Sequence, residues 1–211
     1  HLRTRRQRQM CIRDRSGDVV LDPMCGGGTT LDVCHDLDRE GVGFDLGPTR
    51  PDIAAADARH LPMPDASADF VFVDPPYSTH IRYTEQPECI GTLDASGEDG
   101  GEAYYESMTQ VISEIDRVLR NRRYMALYVS DSWRKRKGAK GGGNGTFMPI
   151  GFELFAILTR FFRPVDIIAV ARGNRKLGRG NWHKAAEVGN YFLRGFNYLF
   201  IMKKQIEDVR R

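Results

Sequence analysis

Three features of the 211-residue sequence predict an α/β fold: a Rossmann-like, seven-stranded, mostly parallel sheet with an antiparallel last strand, in a three-layer αβα arrangement. First, from Ser16 onward apolar runs of strand length alternate with longer amphipathic stretches, the pattern of a parallel sheet with crossover helices. Second, an apolar run at 18–22 leads through Gly26, Gly27 and Gly28 into a helix start, the strand–turn–helix unit that opens such folds. Third, the apolar run at 196–202 follows the strand before it after a stretch read as too short for a helical crossover, so it should return antiparallel as a hairpin partner.

Taken in order, strands are expected at 18–22, 42–45, 52–56, 69–73, 124–130 and 165–171, with the reversed strand last. Helices fit 28–39, 103–121 and 149–162. The second carries Met108, Val111, Ile112, Ile115, Val118 and Leu119 at helical spacing, and the third Phe152, Leu154, Phe155, Leu158, Phe161 and Phe162. Polar stretches at 78–101, 134–145 and 172–184 break this rhythm. Each follows a strand parallel to its neighbours, so all three should emerge at the carboxyl edge of the sheet, where open α/β folds bind ligands.

The length suits one domain, and 41% hydrophobic residues can build a sizeable core. No apolar run approaches the ~18 residues of a membrane span and no signal-peptide core opens the chain, so a soluble, cytoplasmic protein of bacterial or phage-like type is expected. Cys11, Cys25, Cys34 and Cys89 lack paired metal-ligand spacing, which predicts reduced thiols and no metal site. Residues 1–15 read as a translated sequencing adapter, or else as an arginine-rich arm for phosphates. They hold six of 31 basic and one of 28 acidic residues; without them 25 basic residues face 27 acidic, and the formal charge changes from +3 to −2. The expected organisation is therefore 1–15 as artefact or arm, 16–204 as the catalytic domain with its native N-terminal part missing, and 205–211 as a polar tail.

Two motifs carry the chemistry. Asp74-Pro75-Pro76-Tyr77 closes the buried run Phe70-Val71-Phe72-Val73, placing an acid, two rigid carbonyl-bearing prolines and an aromatic ring at a strand end. An exocyclic base amine is a poor nucleophile because its lone pair is delocalised into the ring. Acceptors from Asp74 and a proline carbonyl would draw its hydrogens out of plane, and Tyr77 could stack on the base. Upstream, Asp22, Pro23, Met24, Cys25, Gly26, Gly27, Gly28, Thr29 and Thr30 form the strand-to-helix turn where a nucleotide-like cofactor is seated, although glycines also serve such turns for geometry alone. Asp45 ends the second strand where a carboxylate could accept from ribose hydroxyls or cap a helix; Asp57, followed by Ala58, ends the third and could accept from an adenine amino group.

Together these motifs resemble the S-adenosylmethionine-dependent amino-methyltransferases that act on DNA bases. The resemblance runs from about Asp18 to Lys204 and implies S-adenosylmethionine as cofactor, Asp45 as the ribose-binding acid, Asp57 as the adenine-contacting acid and Asp74 to Tyr77 as the catalytic motif. It departs at Gly27, where many relatives carry serine. Ring-carbon methylation of cytosine would require a nucleophilic cysteine after proline, and no Pro-Cys pair occurs.

Ten of the 25 basic residues after position 15 fall in two of the breaks. Arg134, Lys135, Arg136, Lys137 and Lys140 lie beside Trp133, and Arg172, Arg175, Arg179, Lys176 and Lys184 beside Trp182. Phosphate contacts and base stacking are the functional expectation, solvated loops the bland one. The sequence thus reads as a DNA amino-methyltransferase, adenine-N6 ahead of cytosine-N4. An RNA enzyme acting on guanine-N2 or adenine, a silent nucleic-acid-binding fold and a nicotinamide enzyme are the alternatives.

Overall fold

A computed structural model describes residues 15–80, 86–96, 99–135, 145–172, 180–189 and 195–205. The main sheet has seven strands: β1 (Val19–Asp22), β2 (Glu40–Asp45), β3 (Ile53–Ala55), β4 (Ala68–Val73), β5 (Leu119–Val129), β8 (Arg163–Ala171) and β9 (Phe196–Lys203). Their order is β3-β2-β1-β4-β5-β9-β8. The pairs from β3 through β5 are parallel, and β9 lies antiparallel between β5 and β8. The predicted architecture is therefore present, reversed strand included. β4 is buried along its whole length, as expected of a central parallel strand covered on both faces.

Helix α1 (Thr29–Asp36) packs against β1 and β2, and this contact explains a glycine on β2. A Cβ at Gly43 would lie 2.7 Å from Cys25 Sγ and 3.1 Å from Leu31 Cδ1, so any side chain there would push the cofactor turn and α1 off the sheet. Helix α2 (Glu102–Val118) buries Tyr104, Met108, Val111, Ile112, Ile115 and Val118, one apolar stripe in the main core. It ends where β5 begins, at Leu119. Helix α3 (Ile150–Leu158) buries Ile150, Leu154 and Leu158 in the same core. Phe152, expected on its apolar face, is 64% exposed and meets Tyr198 edge-on instead, because the helix presents Leu154, Ile157 and Leu158 inward and turns Phe152 away.

Two further features depart from the sequence reading. A two-stranded antiparallel ribbon, β6 (Ser132–Lys135) with β7 (Gly145–Met148), stands outside the main sheet where only a loop was expected. Between β8 and β9 lies a helix, α4 (Gly180–Gly189), so the connection read as too short for a helix contains one; β9 is nonetheless antiparallel to both neighbours.

At the amino edge of the sheet, away from the loops that follow the strands, buried Asp69 accepts ion pairs from Arg120 at 2.5 Å and Arg123 at 2.9 Å, and Arg123 also reaches Asp18. These bonds tie the start of β5 to β4 and β1 and satisfy two carboxylates that burial would otherwise penalise.

Candidate functional site

The glycine turn and the Asp74–Tyr77 motif open onto one cavity of about 790 Å³ at the carboxyl ends of β1, β2, β3, β4 and β5 and the amino end of the antiparallel β9. Its wall includes Asp22 to Gly27, Thr29, Thr30, Asp45, Asp57, Ala58, Asp74, Pro76 and Tyr77. Gly28 and Pro75 are buried behind that wall.

The turn is built from the chain's own hydrogen bonds. Asp22, at the end of β1, accepts from Met24 N at 3.1 Å and from Thr30 Oγ1, so one carboxylate ties the strand end to the first turn of α1. Gly28 caps that helix at φ +77°, a left-handed conformation that disfavours any side chain. Asp45 accepts from Gly26 N at 2.9 Å with Oδ2 and from Gly47 N at 2.9 Å with Oδ1, holding the glycine turn while keeping acceptor capacity toward the cavity. Arg50 braces the turn from outside, donating to the carbonyls of Gly27 and Gly28 and pairing with Asp32 at 2.8 Å and Asp52 at 2.7 Å.

Asp57 has a partner that the sequence reading did not assign. Arg59 Nη2 pairs with its Oδ2 at 2.6 Å, Arg59 Nε reaches both oxygens at 3.0 Å, and Arg59 Nη2 also donates to the Glu88 carbonyl at 2.9 Å. Burial pushes the Asp57 carboxyl up, but the hydrogen bonds from Arg59 outweigh it and leave its pKa below the ordinary value. Gln86 Nε2 donates to the Leu46 carbonyl at 3.2 Å, and Cys89 and Ile90 line the cavity, so 86–90 is a strap laced over the Asp45–Asp57 side. Its only signal in the sequence was an Asp-x-Arg spacing, which is too common to single out.

The Asp74–Tyr77 motif is held from three directions. Tyr77 Oη donates to Asp74 Oδ1 at 2.7 Å, so the tyrosine orients the acid. The Pro76 carbonyl accepts from Tyr104 Oη at 2.8 Å and from Ser78 N at 3.1 Å. Tyr104 is fully buried in α2, which makes that helix the anchor of the Asp74–Tyr77 loop. Ser78, buried at φ +55°, donates to the Leu93 carbonyl and accepts from Ala95 N, fastening the next segment. The Pro76 carbonyl is thus engaged twice.

On the far side the cavity reaches Phe72, Tyr128, Arg172, Asn197 and Leu199. Arg172 donates to Asn197 Oδ1 and Ser130 Oγ, so its guanidinium belongs to the cavity wall. Trp133 is 43% exposed on the ribbon. Arg134 and Lys135 lie in β6 and Trp182 in α4, while Arg136, Lys137, Lys140, Arg175, Lys176 and Arg179 lie outside the described residues.

Four aspartates and Arg172 are the charged side chains on the wall among the described residues; Asp57 is paired with Arg59 and burial favours the neutral form of Asp22, so Asp45 and Asp74 are the carboxylates that favour a cationic ligand. Asp22 is fully buried, and burial pushes its pKa from 3.8 to about 7, with Asp74 and Asp45 adding to the rise against the hydrogen bonds from Thr30 and Met24. Burial likewise pushes the Cys25 thiol far up, with Asp22 and Asp45 adding to it, so Cys25 is a packing residue and not a nucleophile. A Cβ at Gly26 or Gly27 would meet nothing within 4 Å, so both leave bare backbone facing the cavity. This donor set fits S-adenosylmethionine: acceptors for ribose hydroxyls and ammonium, backbone open to close approach, and negative charge for a sulfonium. Among the described residues no group of three or more metal-ligating side chains occurs, and no helix is long and apolar enough to cross a membrane.

Residues 9–56 match the model of a family described as DNA methylase. A 40-residue segment is 42% identical to the type II methyltransferase M.HpaI of Haemophilus parainfluenzae, covering 19% of this chain and 13% of that enzyme. Among solved structures, an S-adenosylmethionine-dependent methyltransferase of Methanosarcina mazei superposes with a TM-score of 0.58 at 13% identity, covering 94% of this chain and 98% of that one. The [4+2]-cyclase SpnF gives 0.58 at 17% identity, covering 96% and 82%, and TrmN of Thermus thermophilus 0.55 at 18%, covering 95% and 48%. The fold is that of the S-adenosylmethionine-dependent methyltransferases. That a cyclase shares it means the fold alone does not fix the reaction. The two sequence matches support the N6/N4 DNA methyltransferase family and imply S-adenosylmethionine as cofactor.

Proposed function

We propose that this protein transfers a methyl group from S-adenosylmethionine to an exocyclic amine of a DNA base, adenine-N6 in preference to cytosine-N4. The observation that carries the reading is the single cavity shared by the glycine turn and Asp74. Asp22, Asp45, Asp57 and the backbone of Gly26 and Gly27 would hold the cofactor, which supplies an electrophilic sulfonium methyl when bound.

The chain's own groups do the rest by alignment and hydrogen bonding. Asp74, fixed by Tyr77 Oη, accepts from the base amine, and a proline carbonyl of the motif accepts its second hydrogen. Both bonds favour the pyramidal amine whose lone pair is free to attack. No base has to act beforehand, because the amine loses its proton after it gains the methyl. Tyr77 is partly buried against the core and gives the base a rigid wall. A target amine inside a duplex is out of reach, so the nucleotide is extruded into the cavity. The preference for adenine rests on the aspartate at the head of the motif, where many cytosine enzymes of the family carry serine.

The test is transfer of labelled methyl from S-adenosylmethionine to unmethylated DNA and RNA pools, followed by digestion and separation of the nucleosides. Label in N6-methyldeoxyadenosine is expected. Label in N4-methyldeoxycytidine would overturn the base preference, label in RNA alone the substrate, and no label in any pool the enzymatic reading.

A further inference from the structure

The arginines that brace the fold are paired: Arg50, Arg59, Arg117, Arg120 and Arg123 each meet a carboxylate. Arg172 differs. Among the described residues it forms no ion pair, and the two side chains that it bonds are neutral, Asn197 Oδ1 accepting from Nε and Ser130 Oγ from Nη2. Both partners are buried, and Arg172 N donates to the Gly195 carbonyl at 2.6 Å, so backbone and side chain are fixed together. A part-buried charge with neutral partners alone gains most from an anionic ligand.

Nε and Nη2 share one edge of the planar guanidinium, and that edge is filled. The opposite edge, Nη1 with the second Nη2 hydrogen, has no acceptor among the described residues, and Arg172 lines the cavity. Such a fork matches two oxygens of a phosphate or a carboxylate. Position in the sheet favours the phosphate. The groups suited to the cofactor, Asp22, Gly26, Gly27, Asp45 and Asp57, stand at the ends of β1, β2 and β3, on one side of Asp74. Ser130 follows β5, Asn197 lies at the start of β9 and Arg172 follows β8, all on the other side. Neighbouring strands are about 4.8 Å apart, so a guanidinium bonded at the ends of β5 and β9 stands one to two strands, roughly 5–10 Å, from the end of β4. Phe72, Tyr128 and Leu199, members of one apolar cluster, line the cavity across β4, β5 and β9. An apolar floor with a carboxylate for an amine at one end and a fixed cation at the other has the layout of a single nucleotide, base first and phosphate last.

We propose that Arg172 binds the phosphate of the target nucleotide itself: its Nη1–Nη2 edge holds the phosphate attached to the nucleotide whose base amine lies at Asp74, while Asn197 and Ser130 keep the guanidinium in place. The proposal rests on the nucleic-acid substrate argued above and deepens it, since it makes the cavity a site for a whole nucleotide and not for a bare base. Of the basic residues in the two basic stretches, Arg172 is the one that lines the cavity among the described residues, so its contact is made inside the site and not along the backbone outside it.

The test compares deoxyadenosine monophosphate with deoxyadenosine, and deoxycytidine monophosphate with deoxycytidine, as ligands of the full chain in ligand-observed NMR titrations, a readout that needs no methyl transfer. The better-bound nucleotide should bind roughly ten- to hundredfold more tightly than its nucleoside. Arg172→Gln should abolish that ratio with nucleoside affinity unchanged, and Arg172→Lys should keep part of it. Asn197→Asp, which keeps the acceptor and the shape but sets a carboxylate against the guanidinium, should lower the ratio as well. Affinity for S-adenosylmethionine should be the same in every variant, which also shows that each one folds. A nucleotide that binds no more tightly than its nucleoside, or a ratio that survives in Arg172→Gln and Asn197→Asp, would overturn the phosphate site. Loss of S-adenosylmethionine binding in Arg172→Gln with the ratio intact would overturn it too, by giving the guanidinium to the cofactor's carboxylate. Methyl transfer to DNA alongside equal binding of nucleotide and nucleoside would sink the phosphate site alone; an Arg172-dependent ratio without transfer to any pool would sink the transfer reading alone.

Discussion

Asp22→Asn should remove one part of the pH dependence of stability. The carboxyl is 4% exposed, and its pKa is raised from 3.8 to about 7 by burial. A carboxyl whose folded pKa lies above its unfolded value holds its proton better in the folded state. Its contribution is therefore largest below about pH 4, falls as the pH rises from 4 to 7, and stays flat above 7. Each tenfold change in proton affinity is worth about 1.4 kcal/mol, so ionising Asp22 in the folded protein costs on the order of 4 kcal/mol. Asparagine cannot ionise, keeps an oxygen for Met24 N, and can turn its amide to the Thr30 hydroxyl, which also accepts. Urea unfolding of both proteins at pH 5, 6, 7 and 8, with unchanged m-values, reads the effect. The variant should be equal to or less stable than the parent at pH 5 and more stable at pH 8, by up to the figure above. Asp57, Asp69 and Glu114, whose pKa values are lowered, impose the opposite slope on both proteins and cancel in the difference. Parallel pH profiles for the two proteins would refute the assignment of a buried, proton-holding carboxyl at this strand end.

Other changes test the same site. Arg59→Met keeps a long apolar stem but removes the bonds to Asp57 and to the Glu88 carbonyl, so the KM for S-adenosylmethionine should rise with kcat little changed; an unchanged KM in steady-state assays would show that the 86–90 strap does not shape the cofactor site. Gly28→Ala forces a side chain into the left-handed region and brings a Cβ within 2.5 Å of Arg50 Nη1, so thermal or urea unfolding should reveal a loss of about 1–2 kcal/mol together with weaker cofactor binding. Stability equal to the parent protein's would mean that the turn is not held as described.

How much was legible beforehand follows from the reach of each interaction. Strand alternation, the apolar stripe of α2 and the glycine turn are local patterns, and they located the sheet, its reversed strand and both motifs at one edge. The ribbon escaped because β6 and β7 have four residues each and flank a glycine-rich basic stretch that carries no strand signal. Helix α4 escaped because Gly180 and Gly189 bound it and its polar residues show little periodicity. In the site, the partners of Asp57 and Pro76 come from residues whose types are unremarkable in sequence. Arg59 matters only because the chain turns it back onto Asp57, and Tyr104 only because α2 carries its hydroxyl to a carbonyl 28 positions earlier. Tyr77 was expected against the base; the bond from its hydroxyl to Asp74 is one that spacing could not reveal.

The most direct measurement separates cofactor binding from methyl transfer in Asp74→Ala. Because Asp22, Asp45 and Arg50 hold the glycine turn, calorimetric affinity for S-adenosylmethionine should stay within a few-fold of the unaltered protein in Asp74→Ala, while single-turnover transfer of labelled methyl to DNA should fall by orders of magnitude. Transfer at the parental rate in the variant would contradict the central claim that this carboxylate grips the reacting amine.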